Sequence, residues 1–242
     1  MITLAALRNP TTSINLTATI DSALCVGAGG SSGSLADKPI IRNADKKLLI
    51  PASQLKGRLR HECEKIARAL KWSICESPKA ETMCPQRAGL SGNFQRDQYL
   101  ASGYGDRDKD RQHHCLICQI FGNPVLNSQV LFDDLICTED PDNLTEVIRP
   151  GVTINRRRQT AEENKLYFLE TSPANAQLQF QGQIHFLHNC PDFGKALIYA
   201  SLQHINALGG SKSSGLGWLT WEIESTDIDD SVWQFLAKGG EA

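Results

Sequence analysis

A single α+β domain, ordered strand, helix, strand, strand, helix, strand, is the fold class that three features of this sequence predict. Residues 13–20 and 178–186 alternate apolar and polar side chains with the period of two that half-buried strands have. Residues 51–70 and 192–207 repeat apolar side chains at the 3.6-residue spacing of a helix. One long stretch, 71–118, has neither period and reads as an insertion after the first helix. A chain of 242 residues buries roughly 70% of its unfolded surface on folding, so one core can serve residues 1–242.

The elements follow in order. The first strand, 13–20, leads into a Gly/Ser loop, Gly27-Ala28-Gly29-Gly30-Ser31-Ser32-Gly33-Ser34. Ile40-Ile41 and Leu48-Leu49-Ile50 predict a short strand pair around the turn Asn43-Ala44-Asp45. In the helix 51–70, Leu55, Leu59, Cys63, Ile66 and Leu70 fall at i, i+4, i+8, i+11 and i+15, and Pro51 suits the first turn. Ser53, Lys56 and Arg60 share a second face of it. Ser128 to Cys137 reads as a strand, and Leu166 to Leu169 as another. Residues 143–172 predict a protruding hairpin with an arginine-rich tip. In the helix 192–207, Phe193, Leu197, Ala200 and Leu208 lie on one face, and Gly209-Gly210 is a plausible stop. Trp218 to Ile223 closes the series as a strand. This order is the split βαβ, ferredoxin-like βαββαβ arrangement that RNA-recognition modules also use.

Charge and composition narrow the function classes. Hydrophobic residues at 40% and charged residues at 21% exclude a wholly disordered chain. The formal net charge of −2 excludes a uniformly basic nucleic-acid binder. Segregation along the chain leaves room for a local basic face: residues 41–71 carry nine basic side chains against three acidic. Residues 133–146 carry six acids and no base, with Arg149, Arg156, Arg157 and Arg158 close behind. No apolar run reaches the ~18 residues a membrane helix needs. Residues 1–20 lack the basic and apolar blocks of a secretory signal. Eight cysteines without such a signal suggest reduced thiols or metal ligands, so a cytoplasmic location is expected.

Four of those cysteines fall in the insertion. Cys115-Leu116-Ile117-Cys118 is a C-x₂-C knuckle, and Cys75 and Cys84 precede it. Tetrahedral Zn²⁺ takes four soft ligands at ~2.3 Å, and a segment without an apolar pattern needs such a centre to hold it. His113 or His114 is an alternative for one thiolate. Cys25, Cys63, Cys137 and Cys190 read as small buried hydrophobes. The glycine loops match neither a dinucleotide fingerprint nor Walker spacing. Gly210-Ser211-Lys212-Ser213 and Gly27–Ser32 instead offer backbone N–H groups, with the Lys212 charge, to a polynucleotide backbone. The start of the helix 51–70 offers its own free N–H groups beside Ser53 and Lys56 to a phosphate.

Asp37-Lys38-Pro39-Ile40-Ile41-Arg42 followed by residues 49–60 (Leu-Ile-Pro-Ala-Ser-Gln-Leu-Lys-Gly-Arg-Leu-Arg) resembles the opening signature of the RAMP superfamily, the repeat-associated RNA-binding proteins of CRISPR–Cas systems. Cys118-Gln119-Ile120-Phe121-Gly122, the strand from Ser128 to Asp134, and the glycine-rich loop 209–217 are similar to later segments of that family. Within it, the chain most resembles the repeated backbone subunit of type III effector complexes. That resemblance implies a ferredoxin-like palm, a thumb hairpin, and copies of this or related RAMP subunits stacked along a CRISPR RNA beside a large polymerase-like subunit. It also implies endonucleolytic cutting of a complementary target RNA. The catalytic aspartate falls on Asp37. Guide-backbone contacts fall on Ser53, Lys56, Arg58 and Arg60 and on Gly210, Lys212 and Ser213, and the thumb tip on the segment holding Arg156 and Arg157.

RNA cleavage by its own 2′-OH needs in-line geometry and charge neutralisation on the phosphate. One carboxylate on a loop suffices to hold a hydrated Mg²⁺, which suits Asp37. The Asp133-Asp134 pair is a rival metal site, and a turn cap is the structural alternative for Asp37. Two other functions compete with the nuclease: a non-catalytic guide-binding scaffold, and a stand-alone guide-processing ribonuclease with His61 or His204 as general base.

Overall fold

The computed structural model describes residues 12–27, 36–72, 74–79, 83–84, 114–124, 126–224 and 228–239. The glycine loop after Gly27, His113 and most of the insertion lie outside them.

Strand β1 (Thr12–Ile20) turns Ile14, Leu16, Ala18 and Ile20 to the core and the residues between them outward. Strands β2 (Leu49–Ile50), β3 (Val130–Phe132), β4 (Leu135–Cys137), β7 (Leu178–Phe186) and β8 (Leu219–Ile223) complete the sheet in the order β2-β4-β7-β1-β8, with β3 also on β7. Every pairing is antiparallel, and β1 lies along β7 from Thr12↔Phe186 to Ile20↔Leu178. A separate two-stranded ribbon of β5 (Val147–Asn155) and β6 (Thr160–Thr171) projects as the expected hairpin. The fold is therefore mixed α/β with antiparallel sheets.

Helix α1 (Ala52–Ala69) buries Leu55, Leu59, Cys63 and Ala67 against the sheet and helix α3 (Asp192–His204), which contributes Phe193, Leu197, Ile198 and Leu202. Its other faces are laced by i,i+3 and i,i+4 ion pairs between glutamates and Arg58, Arg60, Lys65 and Arg68. The core apolar area removed from water is the main favourable term; truncating one such leucine costs about 2–5 kcal/mol.

The strand expected over 128–137 is broken in two. Phe132 faces Ile184 while Ile136 faces Gln181, so one extra residue sits between β3 and β4, a β-bulge. Gly182 lies beneath it, and a side chain there would run into Leu135 and the Asp134 carbonyl. The expected pairing of Ile40-Ile41 with 48–50 is corrected too. Leu49 and Ile50 pair with β4, Ile40 bridges Gly27, and only Arg42↔Leu48 closes the turn. The second helix stops at His204 rather than 207, because Ile205 turns extended and Ala207 bridges Trp218. Gly209, at φ +89°, then serves the loop rather than the helix end.

Two helices escape sequence periodicity. Helix α2 (Leu116–Phe121) has all six side chains buried, so it has no polar face to betray a period. Helix α4 (Asp230–Lys238) is capped by Asp229, whose carboxylate accepts from the Ser231 amide at 2.9 Å. It packs Phe235 on Trp72 and Phe193. Among the described residues no helix is long and apolar enough to cross a membrane.

Candidate nucleic-acid interface and metal centre

One strap after β1, residues 21–27, gathers three distant parts of the chain. The Ser172 amide donates to the Leu24 carbonyl, Ile41 to Val26, Gly210 to Cys25 and Gly217 to Ala23, all at 2.6–2.9 Å. Ala23, Cys25 and Leu216 form a small buried cluster beside Leu169. The strap thereby holds the Asp37 segment, the base of the hairpin and the glycine loop 209–217 on one side of the molecule. Burial pushes the Cys25 thiol up, and the neighbouring Lys38 charge pulls it the other way.

Asp37 is exposed, and its Oδ2 accepts from the Phe168 amide at 2.7 Å. The Lys38 amide donates to Phe168 O at 3.3 Å, and the Glu170 amide to Lys38 O at 3.1 Å. Residues 37–38 thus extend the hairpin as a short parallel third strand, with the Asp37 carboxylate standing where a backbone carbonyl would continue the ladder. Glu170, buried, fixes this junction from the other side: it accepts from the Ile40 amide at 3.1 Å and Arg42 Nη2 at 3.2 Å.

The glycine loop is less open than its sequence suggests. Gly210 N already donates to Cys25, and Lys212 Nζ donates to Gly209 O at 2.9 Å. Lys212 and Ser213 remain exposed at a left-handed turn set by Ser211, φ 53°. On α1, Ser53 is exposed, but the helix start is not free: the Ala52 amide donates to Asp134 Oδ1 at 2.7 Å. The carboxylate that caps α1 comes from the bulge between β3 and β4, 82 residues away. One of the helix-start amides expected to face a phosphate is therefore already taken by a carboxylate. Asp133 turns elsewhere, Oδ2 lying 3.0 Å from His185 Nε2, so the two aspartates do not converge on one metal.

The α1 cations divide by partner. Arg58 pairs with buried Glu62 at 2.9 Å. Arg60 donates from Nε to Glu64 at 3.3 Å, from Nη1 to Gly122 O at 3.1 Å and from Nη2 to Cys118 Sγ at 3.9 Å. Lys56 makes no ion pair among the described residues. Burial first, and then the Arg60 charge, hold its pKa below the ordinary lysine value, so an incoming anion relieves it. At the hairpin tip Arg156 and Arg157 are exposed, and the turn is closed by Asn155 Oδ1 accepting from the amides of Arg157 and Arg158 at 3.1 Å. His61 is exposed on α1, and His204 Nδ1 lies 3.0 Å from Glu62 Oε2, a tie between α1 and α3 rather than a free base.

Cys75, Cys84, Cys115 and Cys118 come together, all buried, with their sulfurs within 4.8 Å of one another. Cys75 Sγ is 3.5 Å from Cys118 Sγ and 3.6 Å from Cys115 Sγ. Disulfides need ~2.05 Å; a tetrahedron of ~2.3 Å metal–sulfur bonds spaces its sulfurs ~3.8 Å apart. The cluster can hold a metal ion. Hydrogen bonding with Cys115 pulls the Cys75 thiol below the ordinary range and pushes Cys84 and Cys118 above it, while Cys118 pulls Cys115 down. His114 does not replace a thiol: its Nδ1 lies 2.9 Å from Asn123 Nδ2. Among the described residues this is the one group of three or more metal-ligating side chains.

The pattern of the RAMP superfamily matches residues 17–220. A chain of the type III-B Cmr-beta structure, solved by cryo-EM bound to cognate target RNA, superposes with a TM-score of 0.55 at 16% sequence identity. The match covers 93% of the present chain and 63% of that chain, so the present chain spans under two thirds of its length. No curated protein sequence matches.

Proposed function

The chain belongs to the RAMP superfamily, and from that premise we propose that it is an RNA-binding backbone subunit of a type III CRISPR effector that cleaves complementary target RNA at Asp37. The strand order β8-β1-β7-β4, with α1 and α3 as the two crossovers, supports reading the palm as ferredoxin-like. The hairpin β5–β6 is then the thumb, CRISPR RNA and target RNA are the ligands, and related RAMP subunits and a polymerase-like large subunit are the neighbours. Lys56, Lys212, Ser213 and the tip arginines Arg156 and Arg157 are the exposed or unpartnered groups suited to the RNA backbone. Arg58, Arg60 and Gly210 already have protein partners and are weaker candidates.

The observation that carries the nuclease reading is the exposed Asp37 carboxylate fixed at the root of an arginine-tipped hairpin. In the proposed reaction the target's 2′-hydroxyl gives its proton to solvent as its oxygen attacks the adjacent phosphorus, forming a 2′,3′-cyclic phosphate, and the 5′-oxygen leaves and takes a proton from water. Asp37 is a lone carboxylate, which suits one hydrated divalent cation and not a two-metal cage. Asp37 would hold that ion, Mg²⁺ or a similar metal, and the ion would supply charge neutralisation at the phosphate. The chain's own part is positioning: Phe168 N–H orients the carboxylate, and the hairpin strand fixes where the RNA meets it. The four-cysteine centre we read as structural Zn²⁺, from its soft tetrahedral donor set.

A non-catalytic scaffold is the second reading, and the same hydrogen bond favours it, since a carboxylate capping Phe168 N–H is a complete structural role. The assembled complex incubated with complementary RNA and Mg²⁺ separates the two. Regularly spaced cuts in the wild type that vanish in Asp37→Ala, with RNA binding intact, support the nuclease. Binding without cuts makes the chain a scaffold, and cuts that survive the substitution move the active residue elsewhere.

A further inference from the structure

Arg60 stands in the stretch expected to grip guide RNA, yet its guanidinium is turned toward the four-cysteine centre. We infer that Arg60 is the charge-balancing, positioning residue of that metal centre and not a phosphate contact; the inference rests on the reading of the cluster as a metal site. Three of its nitrogens are committed: Nη2 to Cys118 Sγ, Nη1 to the Gly122 carbonyl that ends α2, and Nε to Glu64.

The chemistry asks for such a group. Four thiolates around a divalent cation carry a net charge of −2, and these sulfurs are buried beside Leu116, Ile117 and Ile120. A buried charge without compensation is costly. An N–H···S bond from a cation lowers that cost, orients the ligand and tunes the metal–sulfur bond. Arg60 is one helical turn beyond Lys56, so α1 carries one half-buried cation with no ion pair among the described residues and turns the next toward the cysteine cluster. Glu64 holds the guanidinium in place, itself 12% exposed and within 3.7 Å of Arg68.

The test uses the full chain loaded with Zn²⁺ or Co²⁺. Zinc retention is measured against a chromophoric chelator in wild type, Arg60→Gln, Arg60→Lys and Glu64→Gln. Arg60→Gln should lose about 10–100-fold in metal affinity, Arg60→Lys should recover part of it, and Glu64→Gln, which keeps an acceptor for Arg60 Nε but loses its charge, should lose less than Arg60→Gln. In the cobalt form, Arg60→Gln should shift the thiolate-to-metal charge-transfer band, which a merely structural latch would leave in place. The salt dependence of RNA binding should keep its slope in Arg60→Gln and fall by ~0.7 in Lys56→Ala. Wild-type metal retention and an unmoved band in Arg60→Gln would overturn the inference while sparing the metal site. A slope lost in Arg60→Gln would make it a phosphate contact after all. A wild-type chain that binds neither zinc nor cobalt would overturn both.

Discussion

Glu62 is 1% exposed and sits under three cationic or hydrogen-bonding groups: Arg58 at 2.9 Å, Lys65 and His204 each at 3.0 Å, from two helices. Burial alone would push its carboxyl up. The hydrogen bonds from Lys65 and His204 and the Arg58 charge outweigh that and hold its pKa below the ordinary glutamate value. A carboxylate depressed in the folded state stabilises the protein above its unfolded pKa, ~4.3, and loses that contribution as pH falls through the folded value. Glu62→Gln should therefore cost roughly 1–3 kcal/mol at neutral pH, and the gap to wild type in denaturant midpoint should close below about pH 4. A gap independent of pH would assign the cost to packing. Asp37 can be nominated from its sequence neighbours, because Lys38-Pro39-Ile40-Ile41-Arg42 is a local pattern, whereas its bond to the Phe168 amide cannot. Asp134 as the cap of α1 was not, because an 82-residue separation leaves no local signal. The turn of Arg60 toward Cys118 is hidden for the same reason.

At the scale of elements, alternation and 3.6-residue spacing identified β1, α1, β7 and α3 to within a few residues, since each has one wet and one dry face, while the hairpin was read from its polar, arginine-rich tip. They failed where that contrast is missing, as in α2, or where a bulge changes the register, as between β3 and β4. The hairpin is the element that leaves the most apolar surface exposed. Ile148, Val152, Ile154 and Leu166 stand 42–62% exposed along it, and its ladder shifts register between Val152 and Ile154. Tyr167 lies across Gly151, directly opposite, where any side chain would displace the ring. The tip arginines make no part of this packing, so Arg156→Ala with Arg157→Ala should leave the melting temperature unchanged. The double variant should lower the salt slope of RNA binding by about 1.4, two contacts at ~0.7 each. Titration of affinity against salt checks it, and an unchanged slope removes the tip from the interface.

For the whole molecule the question is whether the cysteine centre is an appendage or part of the core. The four sulfurs, Leu116, Ile117, Ile120 and Phe121 belong to the same continuous buried cluster as the sheet residues Leu16, Phe180 and Ile184 and the α1 residue Leu59. Arg60 bonds α1 to Gly122, and Gln129 N donates to Ile120 O, so α2 is tied to both helix and sheet. A centre so embedded should unfold with the domain and not ahead of it. Metal bound a thousandfold above its dissociation constant adds about 4 kcal/mol to the folded state, equivalent for a chain of this size to a midpoint shift of roughly 10 °C. Chelation should therefore lower a single calorimetric transition by about that amount, and zinc added back should restore it. If the insertion were an independent unit, chelation would instead abolish a separate low-temperature transition and leave the main one where it was. Elemental analysis of the same sample should find close to one zinc per chain, since one cluster of four thiols satisfies one tetrahedral ion. The shared core then has a consequence for the proposed RNA face: losing the metal would release the thiols that Arg60 and α2 hold together and loosen the helix that carries Lys56, so RNA affinity should fall along with the midpoint.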